Sequence, residues 1–184
     1  MIFACICGLI TLALLFVDLI TKAWAYAVQI QQPSYFLGFI RLSYLPGGNT
    51  GIAWGLFGST EVAMTIITIL TAFMIIGIAV VFFTVFRKNR PIQVCLAVIE
   101  AGAIGNLIDR IVLGYVRDFV DVSRIGFAVC NFADFFISFG AVALLIVILF
   151  VGKDAVIPLG KWRKLRQEEE QAARKQEEHN NETE

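Results

Sequence analysis

Two aspartates, Asp118 and Asp134, are the residues of this chain best equipped for chemistry. Asp118 lies in Val116-Arg117-Asp118-Phe119, just after the third of four apolar stretches. Asp134 closes Asn131-Phe132-Ala133-Asp134 and opens the fourth. Consecutive spans meet at one membrane face, so connectivity alone brings both carboxylates to the same side. Carboxylates at a lipid boundary are costly to hold there. If the two approach each other, like-charge repulsion and low dielectric raise one pKa strongly. One is then a protonated acid and the other a base, and such a pair can activate water and protonate an amide in turn. No basic residue stands three or four positions from Asp134, and Arg117, next to Asp118, faces elsewhere. Helix capping and an ion or proton path are the competing readings of the same two residues.

The rest of the chain must position them in a membrane. Of its 184 residues 58% are hydrophobic, which is outside the range of soluble domains. Net charge is zero, yet residues 152–184 hold seven of the fifteen Lys/Arg and eight of the fifteen Asp/Glu. The first 151 residues therefore carry only seven acids: Asp18, Glu61, Glu100, Asp109, Asp118, Asp121 and Asp134. Each acid in or beside a span is a functional candidate by default. Cys5, Cys7, Cys95 and Cys130 have no metal-ligand spacing; three lie in apolar segments, where a cysteine behaves as a small hydrophobe, and the four read as structural filler, with a disulfide or metal site as the alternative. The only histidine, His179, is in the charged tail. Neither a metal nor another cofactor is expected.

Four stretches are long and apolar enough to cross about 30 Å of hydrocarbon. They are Ile2 to about Ile20, with helix possible on to Val28, then Val62–Phe86, Ile92–Leu113 and about Phe132–Val151. The first lacks the basic start and small-residue cleavage site of a secretory leader and reads as a retained span. Arg87-Lys88-Asn89-Arg90 joins spans two and three, and Lys153, Lys161, Arg163, Lys164 and Arg166 follow span four. Basic connections stay inside, so both termini are expected in the cytoplasm, with segments 29–61 and 114–131 outside. Pro33, Pro46 and many glycines exclude a span over 33–60. Partial alternation predicts a strand over Phe39–Leu45 and a second over Gly48–Phe57, turned by Pro46-Gly47-Gly48. The fold class expected is an all-α integral membrane protein of four transmembrane helices with a small extracytoplasmic β-cradle. Residues 1–151 form the membrane domain, with an outer β/loop part at about 29–61. Residues 152–184 form a charged cytoplasmic tail, helical at first and then frayed.

This topology sorts the polar residues. Asp18, Thr21 and Lys22 near the end of span one, Asn49 in the outer loop, Asn106, Asp109 and Arg110 near the end of span three, Asp118, and Asn131 with Asp134 all fall at one depth on one face. Asp18 and Lys22, four apart, predict an ion pair within the helix. Gly102, Asn106 and Arg110 share a stripe with Asp109, and Gly102 and Gly105 allow another helix to approach. Asp109 and Arg110 are adjacent and so predict partners on other segments, in structural or substrate-positioning roles. Asp121 reads as a local cap. Glu100, deep in span three, reads by default as a neutral glutamate bonded between helices. A transporter would spread polar residues through the membrane depth with repeat symmetry, and neither is visible. A presenilin-like protease would carry Gly-x-Gly-Asp, which is absent.

Five motifs in order, Asp18-Leu19-Ile20-Thr21-Lys22, Asn49-Thr50-Gly51-Ile52-Ala53-Trp54, Gly102 to Arg110, Val116 to Phe119 and Asn131 to Asp134, resemble those of lipoprotein signal peptidase (signal peptidase II). The resemblance implies an aspartic endopeptidase of the bacterial inner membrane that cleaves a prolipoprotein just before its S-diacylglyceryl cysteine. It implies Asp118 and Asp134 as the catalytic pair. Asn49, Asn106, Arg110 and Asn131 would order the site and substrate, with Asp18, Lys22 and Asp109 at motif positions of less defined role. The implied partners are the diacylglyceryl-modified prolipoprotein and membrane lipids, with no nucleic acid, and the chain is expected to act as a monomer.

Overall fold

The computed structural model describes residues 2–28, 35–36, 40–43, 45, 47–49 and 61–151. It is mostly helical, with four helices long and apolar enough to cross a membrane and a small antiparallel sheet. The helices are α1 (Ile2–Val28), α2 (Glu61–Thr84), α3 (Arg90–Leu113) and α4 (Phe132–Phe150). The helical continuation of the first span reaches Val28. The second helix stops at Thr84, two residues short of the expected Phe86. The chain divides into two compact units, Met1–Leu144 and Leu145–Glu184. The described part of the second is the end of α4 and Val151. The predicted charged tail, 152–184, lies outside the described residues, as does the expected strand beyond Asn49.

Helix α3 is central: both α1 and α2 pack on it, and it is the most buried of the four. Its ends are written in the sequence. Asn89 caps the start, its side chain accepting from the Ile92 N–H at 3.3 Å, with Pro91 in the first turn. Gly114 ends the helix at φ 77°, a left-handed value that glycine adopts without strain, and its N–H bonds to Arg110 O. Small residues set the close helix approaches. A Cβ on Gly102 would collide with the backbone carbonyl of Ala133 on α4, and one on Gly140 would lie 2.7 Å from Ile99 on α3. Thr11 of α1 donates to the Ala97 carbonyl of α3 at 3.2 Å.

The sheet has three antiparallel strands in sequence order: β1 (Tyr35–Phe36), β2 (Ile40–Leu42) and β3 (Val120–Asp121). The strand expected at 39–45 is observed at Ile40–Leu42 among the described residues. In register, Tyr35 faces Arg41 and Phe36 faces Ile40, while Arg41 faces Asp121 and Leu42 faces Val120. Strand β3 is not expected from the sequence, because a two-residue strand has no periodicity to detect. Beside it, Asn49 bridges Val116 and Cys130 bridges Val120. Residues 116–121 thus run extended, held by Arg41, Leu42, Ser43 and Asn49 on one side and by Cys130 on the other. Ala25, Phe119, Val120 and Val122 form the core of this region, covered by Tyr26, Ile40, Cys130, Phe132 and Phe135.

Candidate active site

Asp118 lies in the extended segment after α3 and Asp134 in the first turn of α4. Two asparagines join them. Asn131 Nδ2 donates to Asp118 Oδ1 at 2.6 Å and to Asn106 Oδ1 at 3.1 Å. Asn106 Nδ2 in turn donates to Asp134 Oδ1 at 2.8 Å. The second oxygen of Asp118 accepts from Asn49 Nδ2 at 2.8 Å. That contact follows from the backbone bridge between Asn49 and Val116, which brings the Asn49 side chain two residues along the facing segment. The Cys130–Val120 bridge does the same for Asn131 from the other side.

Asn131 and Asp134 also cap α4 reciprocally. The Asn131 side chain accepts from the Asp134 N–H at 3.1 Å, and Asp134 Oδ2 accepts from the Asn131 N–H at 3.0 Å. Capping, one of the competing readings of Asp134, is therefore real and occupies one of its oxygens. It accompanies the contact with Asn106 and does not replace it.

Behind the pair lies a buried ionic cluster. Lys22 Nζ is 2.7 Å from Asp18 Oδ2 and 3.7 Å from Asp109 Oδ2, and it donates to Asn106 Oδ1 at 2.8 Å. The predicted Asp18–Lys22 pair is present and wholly buried. Asp18 Oδ1 also accepts the Ala133 N–H at 2.9 Å, tying α1 to the start of α4. Gly105 makes room for this carboxylate, since a Cβ there would strike Asp18 Oδ2. Asp109 finds the partner expected on another segment: Arg117, whose guanidinium lies 2.6 Å from Oδ1 and whose backbone N–H reaches Oδ2 at 3.0 Å. Arg117 therefore points away from the dyad, toward Asp109. Arg110 is different. Its Nε is buried without a hydrogen-bond partner, and its side chain lines the cavity.

That cavity, of about 590 Å³, has both carboxylates in its wall together with Asn49, Asn106 and Arg110. The rest of its lining is largely apolar and includes Val122, Ile125, Phe127, Val129, Phe135 and Phe139. Nothing in the sequence singles these apolar residues out. In a chain so hydrophobic, a cavity-lining phenylalanine carries no local mark. Cys130, read from the sequence as structural filler, is also part of the wall.

Burial pushes the Asp118 carboxyl up, and the negative charge of Asp134 adds to it. Hydrogen bonds from Asn49 and Asn131 and the charge of Lys22 oppose the rise, leaving its pKa at about 7. Burial and the charges of Asp134, Asp118 and Asp121 push the Cys130 thiol to about 12, so it stays protonated and is no nucleophile. Asp121 is raised by burial, but bonds from Ser123 and the adjacent Arg41 outweigh this and hold it below the usual range. The expected local cap is present, with Ser123 N–H donating to Asp121 Oδ1 at 2.9 Å. The ion pair with Arg41 across β2 and β3 has no signal in the sequence spacing.

The fold, with four helices long and apolar enough to span a bilayer, is that of a multi-pass membrane protein. The chain matches the family model for signal peptidase (SPase) II over residues 10–150. The lipoprotein signal peptidase of Trichormus variabilis is 38% identical over 147 residues, 76% of this chain and 87% of that protein. That of Streptococcus agalactiae is 30% identical over 143 residues, 76% of this chain and 89% of the other. A solved bacterial membrane enzyme structure superposes with a TM-score of 0.67 at 28% identity, covering 78% of this chain and 87% of its own. The chain belongs to the signal peptidase II family: it is a multi-pass bacterial membrane protease that removes signal peptides.

Proposed function

We propose that this protein is an aspartic endopeptidase that cleaves diacylglyceryl-modified prolipoproteins just before the lipidated cysteine, with Asp118 and Asp134 as its catalytic pair. The observation that carries this reading is the bridging of the two carboxylates by Asn131 and Asn106 in the wall of one cavity. Below about pH 7 Asp118 keeps its proton beside Asp134. Asp134 takes a proton from the attacking water while Asp118 gives its own to the scissile carbonyl oxygen, and a tetrahedral diol forms. Asp134 then returns its proton to the amide nitrogen, the C–N bond breaks, and a diol proton restores Asp118. Asn49 and Asn131 hold Asp118, Asn106 holds Asp134, and the Arg110 guanidinium, in the cavity wall, is a donor for a backbone carbonyl of the substrate. Asp18, Lys22 and Asp109 support these groups from behind.

The apolar wall suits a substrate whose acyl chains stay among membrane lipids while its peptide crosses the dyad. Basic residues at 87–90 and after 152 support a reading in which both termini are cytoplasmic and the dyad lies at the outer face of the inner membrane. Residues 1–151 are the peptidase domain, with 29–61 as its outer part and 152–184 as a cytoplasmic tail, and the protein works as a monomer. The test is cleavage of a lipidated prolipoprotein by purified wild type, Asp118→Asn and Asp134→Asn. Both variants are expected to fold in membranes and to leave the substrate uncut. Full cleavage by either one overturns the dyad, and equal turnover of an unlipidated peptide overturns the substrate.

A further inference from the structure

An asparagine amide presents an NH2 on one edge and a carbonyl on the other, and the edge that meets Asp134 decides whether the contact attracts or repels. Two donors converge on Asn106 Oδ1, the Lys22 ammonium at 2.8 Å and Asn131 Nδ2 at 3.1 Å. An ammonium has donors only. Turning the Asn106 amide over would set its NH2 against Lys22 and its carbonyl against the Asp134 carboxylate, losing all three hydrogen bonds. Lys22 is 0% exposed and does not line the cavity. Replacing a buried ion pair by well-packed apolar residues is often neutral or stabilising, so packing alone is a poor reason for Lys22 and Asp18 here.

We propose that Lys22 is a positioning residue for the hydrolysis, fixing the orientation of Asn106 so that its NH2 is always presented to Asp134. The proposal rests on the reading of Asp118 and Asp134 as the catalytic pair. Lys22 touches neither the reacting atoms nor the cavity. It acts one residue away, and its 3.7 Å contact with Asp109 is the weaker of its reaches into α3. The charged and titratable groups facing this region are Asp18 and Lys22 from α1, Asp109 and Arg110 from α3, Arg117, Asp121 and Cys130 from the connecting segment, and Asp134 from α4. Lys22 is one cation among them that favours loss of the Asp118 proton.

The test is a double-mutant cycle on the full-length enzyme with a diacylglyceryl peptide substrate, using Lys22→Gln, Asn106→Ala and their combination. If Lys22 acts through Asn106, Lys22→Gln lowers kcat about tenfold with KM nearly unchanged, and adds little once Asn106 is Ala. The alkaline limb of the pH–rate profile also moves upward in Lys22→Gln, because a positive charge near Asp118 is gone. Lys22→Arg, which keeps charge and donors, is expected to recover part of the rate. Asp18→Asn/Lys22→Gln removes the buried pair as a unit and serves as the comparison if the single variant does not fold. Deficits that simply multiply, or an unmoved alkaline limb in a folded variant, overturn the proposal. Because this outcome presupposes inactive Asp118→Asn and Asp134→Asn enzymes, failure of the dyad and failure of the Lys22 role read out separately.

Discussion

Asn131 binds Asp118 and Asp134 at once: its side-chain NH2 lies 2.6 Å from Asp118 Oδ1, and its backbone N–H lies 3.0 Å from Asp134 Oδ2. One residue therefore sets the spacing of the two carboxylates and starts the helix that carries one of them. Asn131 is wholly buried, so no water can replace a lost contact cheaply.

Asn131→Ala is expected to lower both activity and stability. Loss of the cap costs about 1 kcal/mol, and Asp118 Oδ1, left without its donor, adds about 1–3 kcal/mol. The activity loss should exceed what the stability loss explains, because the spacing of the pair is no longer held. Thermal unfolding and kcat/KM of the purified variant in detergent check this. Wild-type kcat/KM would remove Asn131 from the site.

The proton on Asp118 predicts the pH profile. Its pKa in the fold is about 7, raised from an ordinary 3.8. If Asp118 is the acid of the proposed mechanism, catalysis needs that proton, and kcat/KM should fall as pH rises through about 7. The same shift bears on stability. Above pH 3.8 the unfolded chain gives up this proton while the folded protein keeps it, so the contribution of Asp118 declines between about pH 4 and 7 and then levels off, by at most about 4 kcal/mol. Asp118→Asn removes that penalty. Its unfolding temperature relative to wild type should therefore rise from pH 5 to pH 8, and a constant difference would contradict the shift.

Gly105 is expected to tolerate no side chain. A methyl group there meets the Asp18 carboxylate, which cannot swing aside while it holds Lys22 and the Ala133 N–H. Gly105→Ala should cost about 1–3 kcal/mol through overpacking, despite the better helix propensity of alanine. Gly77 on α2 is the control, because a methyl group added there would meet nothing within 4 Å, and Gly77→Ala should be neutral or slightly stabilising. Equal unfolding temperatures for the two variants would argue against the close α1–α3 approach.

The Arg41–Asp121 pair should matter for the sheet rather than for the chemistry. Arg41 is 31% exposed, so the pair contributes no more than about 1 kcal/mol. Asp121 is held below its ordinary pKa, so its contribution is full above about pH 4 and is lost as pH falls through the folded value. Asp121→Asn should lower the unfolding temperature modestly at pH 7, with the difference shrinking in acid, and leave kcat close to wild type. A large loss of kcat at neutral pH would place Asp121 nearer the reaction than its contacts do.

Much of this protein is legible in its sequence because a bilayer allows few solutions. Backbone polar groups must be satisfied within each span, so four long apolar runs can only be helices. A chain that crosses and returns brings the polar ends of spans one, three and four together, which groups Asp18, Lys22, Asn106, Asp109 and Asp134. The caps of α3 at Asn89 and Gly114 are likewise local, governed by backbone rules that act over a few residues. Tertiary structure decided which of the gathered groups touch. The Asn131–Asn106 bridge, the turn of Arg117 toward Asp109 and the pairing of Arg41 with Asp121 each join residues on separate elements or segments. Hydrogen-bond partnership depends on distances of a few tenths of an ångström and on side-chain direction, and sequence spacing carries neither across separate elements.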